Sequence, residues 1–308
     1  MRLPTRMPLR AHRGPDRRRR DLVGANVFVT GAASGIGRAT AELLGRRGAR
    51  LHLTDVDAPG LAEVADRLRA CGSTVVLAEP ADIADYDAVR ALAAEVTAAS
   101  GAMDAVLNVA GIAIWGTVSA MEHDQWRRLV EVNLMGPIHV LETLVPEMVD
   151  AGRGGWVVNV SSAAGIIGMP WHAGYSATKF GLRGISEVLR FDLRQHGIHV
   201  CLVCPGGVDT GITETVRIAG VDTASPAFER ARARFRRRAV TPEAAAEAIV
   251  RGMLRRRYWV YTSADIRLVH AVQRWCPPAY ALMMTVLNRG ANRALPAVAR
   301  ARRADRAA

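Results

Sequence analysis

The stretch Asn26-Val-Phe-Val-Thr30-Gly31-Ala-Ala-Ser34-Gly35-Ile36-Gly37 decides the fold. A β-branched run, Val27–Thr30, passes through a glycine turn straight into a helical pattern, Gly35–Arg47. Glycines in such a turn let the backbone approach a pyrophosphate. The unpaired N–H groups and dipole of the helix N-terminus favour that anion. Gly31, Ser34, Gly35, Ile36 and Gly37 are therefore candidates for holding a dinucleotide. The Gly-x-x-x-Gly-x-Gly spacing is more discriminating than a glycine-rich turn alone.

Downstream, short apolar runs alternate with helical patterns. Strands are expected at Arg50–Asp55, Thr74–Ala78, Ala105–Asn108, Trp156–Val160 and His199–Cys204, with a seventh at Tyr258–Tyr261. Helices fit at Pro59–Ala70, Tyr86–Ala99, Asp124–Ala151 and Tyr175–Gln195. This order predicts an α/β chain, a Rossmann-type doubly wound parallel sheet in a three-layer αβα sandwich, which binds ligands at the carboxyl ends of its strands. The expected organisation is a basic, disordered leader over 1–21, one Rossmann-type domain over 22–262 and a helical, basic extension over 263–308. Within the domain, residues 206–238, with helices at Pro226–Arg238 and Pro242–Arg255 following the last core strands, read as a lid region.

Asp55 closes the second expected strand, where a carboxylate accepts from adenosine ribose hydroxyls and repels a 2′-phosphate. Ser34 supplies no compensating base, so NAD is expected over NADP. Asp82 is placed to accept from the adenine amino group, with Ile83 over the ring face. Asn108-Val-Ala110-Gly111 ends the fourth strand, where an amide can pin neighbouring strands and a glycine lets a cofactor lie on the backbone.

The chemical centre is Ser161-Ser162 after the fifth strand, followed by Tyr175 and Lys179. A ketone that accepts hydride becomes an alkoxide and needs an acid within reach. Tyrosine, near pKa 10, exchanges protons poorly at neutral pH unless a cation lowers it. A lysine four residues later on a helix shares its face, and a compact ammonium can also bridge ribose oxygens. Lys179 is the single lysine in a chain with 41 basic residues, so its identity looks required by chemistry.

These residues, in this order, resemble the short-chain dehydrogenase/reductases, from about Leu22 to Val260. The glycine motif, Asn-x-Ala-Gly, Asn133, Ser162, Tyr-x-x-x-Lys and Pro205-Gly206 all match. The resemblance implies Tyr175 as acid/base and Ser162, not Ser161, as the group that polarises the substrate oxygen. It implies that Asn133 holds a water linking Lys179 to solvent. It also implies that Pro205, Gly206, Val208 and Thr210 orient the nicotinamide, and that the subunits form a homodimer or homotetramer through Asp124–Ala151 and Tyr175–Gln195. Val109 departs from the pattern, in which a second Asn is common.

The formal charge of +12 sits in the tails. Residues 1–20 carry eight Arg and one Asp, and residues 289–308 six Arg and one Asp, so the body is neutral and a nucleic-acid partner is not expected. Four scattered Cys give neither a disulfide framework nor a metal site; Cys201 and Cys204 read as core thiols in a reducing cytoplasm. In the extension, Ile266, Val269, Val272, Trp275, Ala279, Met283 and Val286 recur at helical spacing, broken at Pro277-Pro278. That stripe fits packing on the chain's own body or a second subunit; the alternatives are that it lies on a membrane surface or covers the substrate pocket. Ile112–Trp115, Ile166–Trp171 and Ile212–Arg238 are the expected pocket walls. The resulting expectation is an oxidoreductase moving hydride between NAD(H) and a lipophilic secondary alcohol or ketone, such as a sterol, fatty or terpenoid alcohol. The rivals are an NADPH-dependent 3-oxoacyl reductase and a catalytically silent nucleotide-sensing or scaffold protein.

Overall fold

Alternation along the strands sets the layers. In β1 (Asn26–Thr30), Val27 and Val29 point into one apolar cluster and Phe28 into another, because successive strand side chains face opposite ways. A strand buried on both faces needs helices on both sides. On the first face, α1 (Gly35–Arg46), α2 (Ala58–Ala70) and α8 (Pro242–Leu254) bring Leu44, Leu61, Val64, Ile249 and Met253 onto Leu51, Leu107 and Val203. On the second, α3 (Tyr86–Ser100) and α5 (Gly136–Ala151) cover Phe28, Val106 and Val157, and α6 (Ala173–Asp192) adds Ile185 and Leu189 at its edge. Full burial of side chains such as Leu44 or Leu51 contributes about 1.5–3 kcal/mol each.

The computed structural model describes residues 22–210, 217–219, 225–237 and 239–302. The basic leader 1–21, the expected lid positions 211–216, 220–224 and 238, and residues 303–308 lie outside the described residues.

The remaining core strands are β2 (Arg50–Thr54), β3 (Thr74–Ala78), β4 (Ala105–Asn108), β6 (Gly155–Val160), β7 (Ile198–Cys204) and β9 (Trp259–Tyr261). A small pair, β5 (Ile114–Trp115) and β8 (Arg217–Ile218), stands apart, and α7 (Pro226–Arg236) follows it within the expected lid region. The main sheet is parallel throughout, in the order β3-β2-β1-β4-β6-β7-β9. Its order reverses direction between β1 and β4, so the loops leaving both strands open a crevice at their carboxyl ends.

Two expected elements differ. The helix expected over Asp124–Ala151 is α4 (His123–Val130), a π-helical turn (Glu131–Met135) and α5. The wider turn re-registers the helix around the fully buried Asn133, as π-turns do at functional sites. The second strand stops at Thr54, which leaves Asp55 in the turn beyond it.

The extension forms α9 (Ala264–Trp275), α10 (Pro277–Ala294) and α11 (Pro296–Arg300). Pro277 and Pro278 occupy the first turn of α10, where their missing N–H groups cost nothing, and so divide it from α9. Ile266 and Val269 pack on the body with Tyr280. Trp275 and Val286 of the same expected stripe instead face outward, 78% and 60% exposed. Trp275 stands nine residues past Ile266 on the same helix, about two and a half turns, and so faces the opposite way, while the proline break resets the phase before Val286.

Candidate active site

The strand ends gather the expected residues. Gly31 has φ +70°, and a Cβ there would stand 2.8 Å from the Ala110 backbone, so the turn closes only with glycine. No side chain caps α1, and its first turn carries no acidic residue. Its leading N–H groups are left for an anion. Asp55 accepts from Ala33 N–H at 2.9 Å and from Asp57 N–H at 3.0 Å, which fixes its carboxylate beside the glycine turn. Thr210 lies against Gly35: a Cβ on that glycine would be 3.2 Å from it. The loop after β7 thus returns to the same turn. This donor-rich turn with a neighbouring carboxylate fits a dinucleotide whose ribose hydroxyls are free.

Other expected contacts are spent differently. Asp82 accepts from Ala84 N–H at 3.0 Å and from Arg128 at 3.1 Å. Ile83 is 5% exposed and packs beside Gly136, which leaves it little surface for an adenine ring. The Asn108 amide donates to Asn159 Oδ1 at 2.9 Å, and Asn159 donates to Ser186 Oγ at 2.9 Å. This chain pins β4, β6 and α6 together, as the amide was expected to do. Thr30 Oγ1 accepts from both Val109 and Ala110 N–H, at 3.0 and 3.1 Å, and so ties β1 to the β4 loop. Thr30, Asn159 and Ser186 carry no spacing signal and escape sequence reading.

The two serines after β6 divide their work. Ser161 Oγ donates to the Lys179 carbonyl at 2.9 Å, within the buried interior. The Ser162 hydroxyl accepts from Ala164 N–H at 3.1 Å and neighbours the Tyr175 phenol, where it favours the charged form. Lys179 Nζ donates to the Val160 carbonyl at 3.2 Å and stands 5.7 Å from the Tyr175 ring centroid. Asn133 grips Ile112 from both sides: Oδ1 accepts from its N–H at 2.8 Å and Nδ2 donates to its carbonyl at 2.9 Å. Both Asn133 Oδ1 and Lys179 Nζ border the Cβ position of Gly111, so one loop joins all three. The loop Pro205–Thr210 is held by Ala163 N–H donating to the Pro205 carbonyl at 2.7 Å, by Gly206 N–H donating to Thr262 at 3.2 Å and by the pairing of Val208 with Val240.

Burial lowers the Lys179 ammonium to about 8, with the Cys204 sulfur acting in the opposite sense. Burial raises the Tyr175 phenol, and the Ser162 bond opposes that rise. Burial thus outweighs the expected lowering of Tyr175 by its lysine. Cys201 and Cys204 are both buried, and burial pushes each thiol up to about 12, as core thiols require.

The pocket walls are partly as expected. Trp115 and Trp171 pack against the Tyr175 cluster, whereas Ile166 and Ile167 are buried against Leu202 and Cys204 under α9. Trp171 has φ +62°, a left-handed conformation that costs a non-glycine residue about 1–3 kcal/mol and collects at functional sites. His172, three residues before Tyr175, stacks on Trp115 with ring centroids 4.5 Å apart. Its Nδ1–H is bonded to the Pro170 carbonyl, and burial holds its pKa below the usual value.

A phenol, a hydroxyl and an ammonium thus meet at the strand ends beside a nucleotide-shaped turn. The profile of the short chain dehydrogenases matches residues 25–219. The chain belongs to the short-chain dehydrogenase/reductase family. This short-chain dehydrogenase/reductase is 34% identical over 262 residues to SadH of Mycobacterium tuberculosis, a protein named as an oxidoreductase; the match spans 83% of this chain and 92% of SadH. It is 36% identical over 192 residues to the 2,5-dichloro-2,5-cyclohexadiene-1,4-diol dehydrogenase of Sphingobium indicum, covering 62% of this chain and 75% of that one. Among solved structures it is similar to a short-chain dehydrogenase/reductase of Burkholderia phymatum in complex with NAD, with TM-score 0.73 and 31% identity over 82% of this chain and 95% of that one. This short-chain dehydrogenase/reductase is an oxidoreductase.

Proposed function

We propose that the enzyme transfers hydride between NAD(H) and a lipophilic secondary alcohol or its ketone. The carrying observation is the meeting of Ser162, Tyr175 and Lys179 at the strand ends, with the ammonium 5.7 Å from the ring centroid and apolar side chains packed against the phenol. A nicotinamide held by the Pro205–Thr210 loop would supply the hydride acceptor or donor for the carbinol carbon. Tyr175 exchanges the alcohol proton, and Ser162 holds the same oxygen by hydrogen bond. The Lys179 charge favours the deprotonated phenol and donates to ribose hydroxyls. Asn133, through the π-helical turn, positions the Gly111 loop and is the group assigned to the water that links Lys179 to solvent.

Asp55 beside the glycine turn favours NAD over NADP, and the NAD complex of the Burkholderia relative supports the same cofactor. Gly31, Ser34, Gly35, Ile36 and Gly37 take the pyrophosphate. Ala110 and Gly111 give a backbone surface to the cofactor, and Pro205, Gly206, Val208 and Thr210 hold the nicotinamide end. An apolar cyclic alcohol fits the aromatic wall, and the Sphingobium relative is named for a cyclic diol.

Two surfaces extend the reading. Val130, Met135, Phe180, Val188 and Phe191 expose apolar groups on α4, the π-helical turn and α6, where a homo-oligomer would pair. Leu268, Trp275, Leu282, Val286 and Leu287 face outward on α9 and α10 beside Arg267, Arg274 and Arg289, a composition suited to the surface of an anionic membrane. No helix among the described residues is long and apolar enough to cross a membrane. The test of the reaction is a turnover screen of lipophilic secondary alcohols with NAD and NADP in parallel. Reduction of NAD by several of them supports the reading, and turnover confined to NADPH with acyl-carrier ketones refutes it.

A further inference from the structure

Residues beyond the matched family region pack into the two apolar clusters that meet Tyr175. Val298 is fully buried and, with Leu295, packs among Ala113, Phe228, Trp115 and Trp171 against the Tyr175 ring. Ala301, one turn further on, is buried with Ile114 and Met121 in a second cluster against which Tyr175 also packs. The extension is also tied by hydrogen bonds to the loops around the site. Trp171 Nε1–H donates to Asn292 Oδ1 at 2.9 Å, and Asn292 Nδ2 donates to Asn288 at 2.8 Å along α10. The Trp171 carbonyl accepts from Gly116 N–H at 2.8 Å. These bonds hold a tryptophan in a left-handed conformation four residues before Tyr175.

A crevice of about 480 Å³ opens between this extension and the loop before α6, with Met169, Trp171, Ser176, Asn288 and Asn292 among its lining residues. Trp171 belongs both to that lining and to the cluster against Tyr175. It is the partition between the crevice and the reacting group, and Asn292 sets where it stands.

We propose that Asn292, Leu295 and Val298 are specificity-determining residues: the C-terminal extension is the far wall of the substrate pocket and selects uncharged, bulky apolar alcohols. This rests on the reading of Tyr175 as the group that meets the substrate oxygen. The wall offers a ring or branched hydrocarbon contact on several sides. A carboxylate or phosphate placed there would lose hydration against Leu295, Val298 and Trp171, and no arginine or lysine is among the described residues that line the crevice. Neutral His172, with Nδ1–H committed to Pro170, adds no cation.

The experiment compares kcat/KM for 2-butanol and decahydronaphthalen-1-ol in the full chain and in Val298→Trp, Leu295→Ala and Asn292→Leu. Val298→Trp is expected to lower the value for the large alcohol about tenfold, through KM, with 2-butanol changed less than about threefold. Leu295→Ala and Asn292→Leu are expected to move the size preference while NAD affinity stays within about twofold. Asn292→Leu alters a half-buried hydrogen bond and no core volume, so it answers even where Val298→Trp does not fold. Size preference unchanged within about twofold in the folded variants overturns the proposal. A second arm needs no turnover: cyclohexanol is titrated calorimetrically into the NAD complex of Tyr175→Phe, with and without Asn292→Leu or Val298→Trp. Binding weakened about tenfold by either wall substitution supports the wall even where no alcohol is oxidised, and unchanged or undetectable binding refutes it. Failure of the unmodified enzyme to oxidise any alcohol counts against the hydride-transfer reading alone.

Discussion

The Lys179 ammonium stands 5.7 Å from the centroid of the Tyr175 ring, one helical turn along α6. It is 4% exposed, and burial holds its pKa at about 8. A lysine whose folded pKa lies below its unfolded value near 10.5 binds its proton less readily in the native state. Its burial therefore costs stability at pH 7, and that cost fades as pH rises from about 8 towards 10.5.

Lys179→Arg keeps the charge but replaces a compact ammonium with a planar fork in a space bounded by Gly111 and Asn133. Turnover is expected to fall about 100-fold or more, measured as initial rate at saturating NAD. Lys179→Met removes the buried charge and is expected to gain about 1–2 kcal/mol in denaturant unfolding at pH 7 while losing activity.

Asp55 is fixed by Ala33 and Asp57, with its carboxylate beside the glycine turn. Asp55→Ala is expected to raise the NADP-to-NAD ratio of kcat/KM about tenfold or more by removing the charge that repels a 2′-phosphate. Parallel steady-state assays with the two cofactors measure it. A parent enzyme that already prefers NADP contradicts the assignment.

His52 sits fully buried in β2, neither ring nitrogen has a hydrogen-bond partner, and burial lowers its pKa to about 4. Above pH 6.5 the ring is neutral in both states and exacts no proton-linked cost. As pH falls from 6.5 towards 4 the unfolded chain takes up a proton that the native ring refuses, so stability drops, by up to about 3 kcal/mol from this group. His52→Leu is expected to flatten that part of the acid limb, read from urea midpoints at pH 7 and pH 5.

The outward residues of α10 test the membrane surface. Leu282→Glu with Val286→Glu alters two exposed positions and is expected to leave melting unchanged while abolishing co-sedimentation with phosphatidylglycerol vesicles. Equal sedimentation of the variant and the unmodified chain removes the membrane from the account.

The sheet was legible in the sequence because its central strands are buried on both faces and read as short apolar runs between turns; the expected strands match the observed ones to within a residue. The reacting group was legible because Tyr175 and Lys179 are four residues apart on one helix. The supports were not. Thr30, Asn159 and Ser186 act across the sheet at separations fixed by strand register, which no local pattern encodes. The π-helical turn at Asn133 obeys the same apolar periodicity as an α-helix over so short a stretch. The contact of Val298 with the Tyr175 cluster depends on the path of the chain after Pro277-Pro278, so the stripe in the extension could not say which of its residues would turn inward.

The most direct test of the central claim is turnover by Tyr175→Phe with NAD and the best lipophilic secondary alcohol, alongside calorimetric NAD binding. Loss of the phenol is expected to lower kcat about 1,000-fold or more while NAD affinity stays within about twofold. A kcat within about tenfold of the parent, with NAD still bound, would show that Tyr175 does not carry the proton.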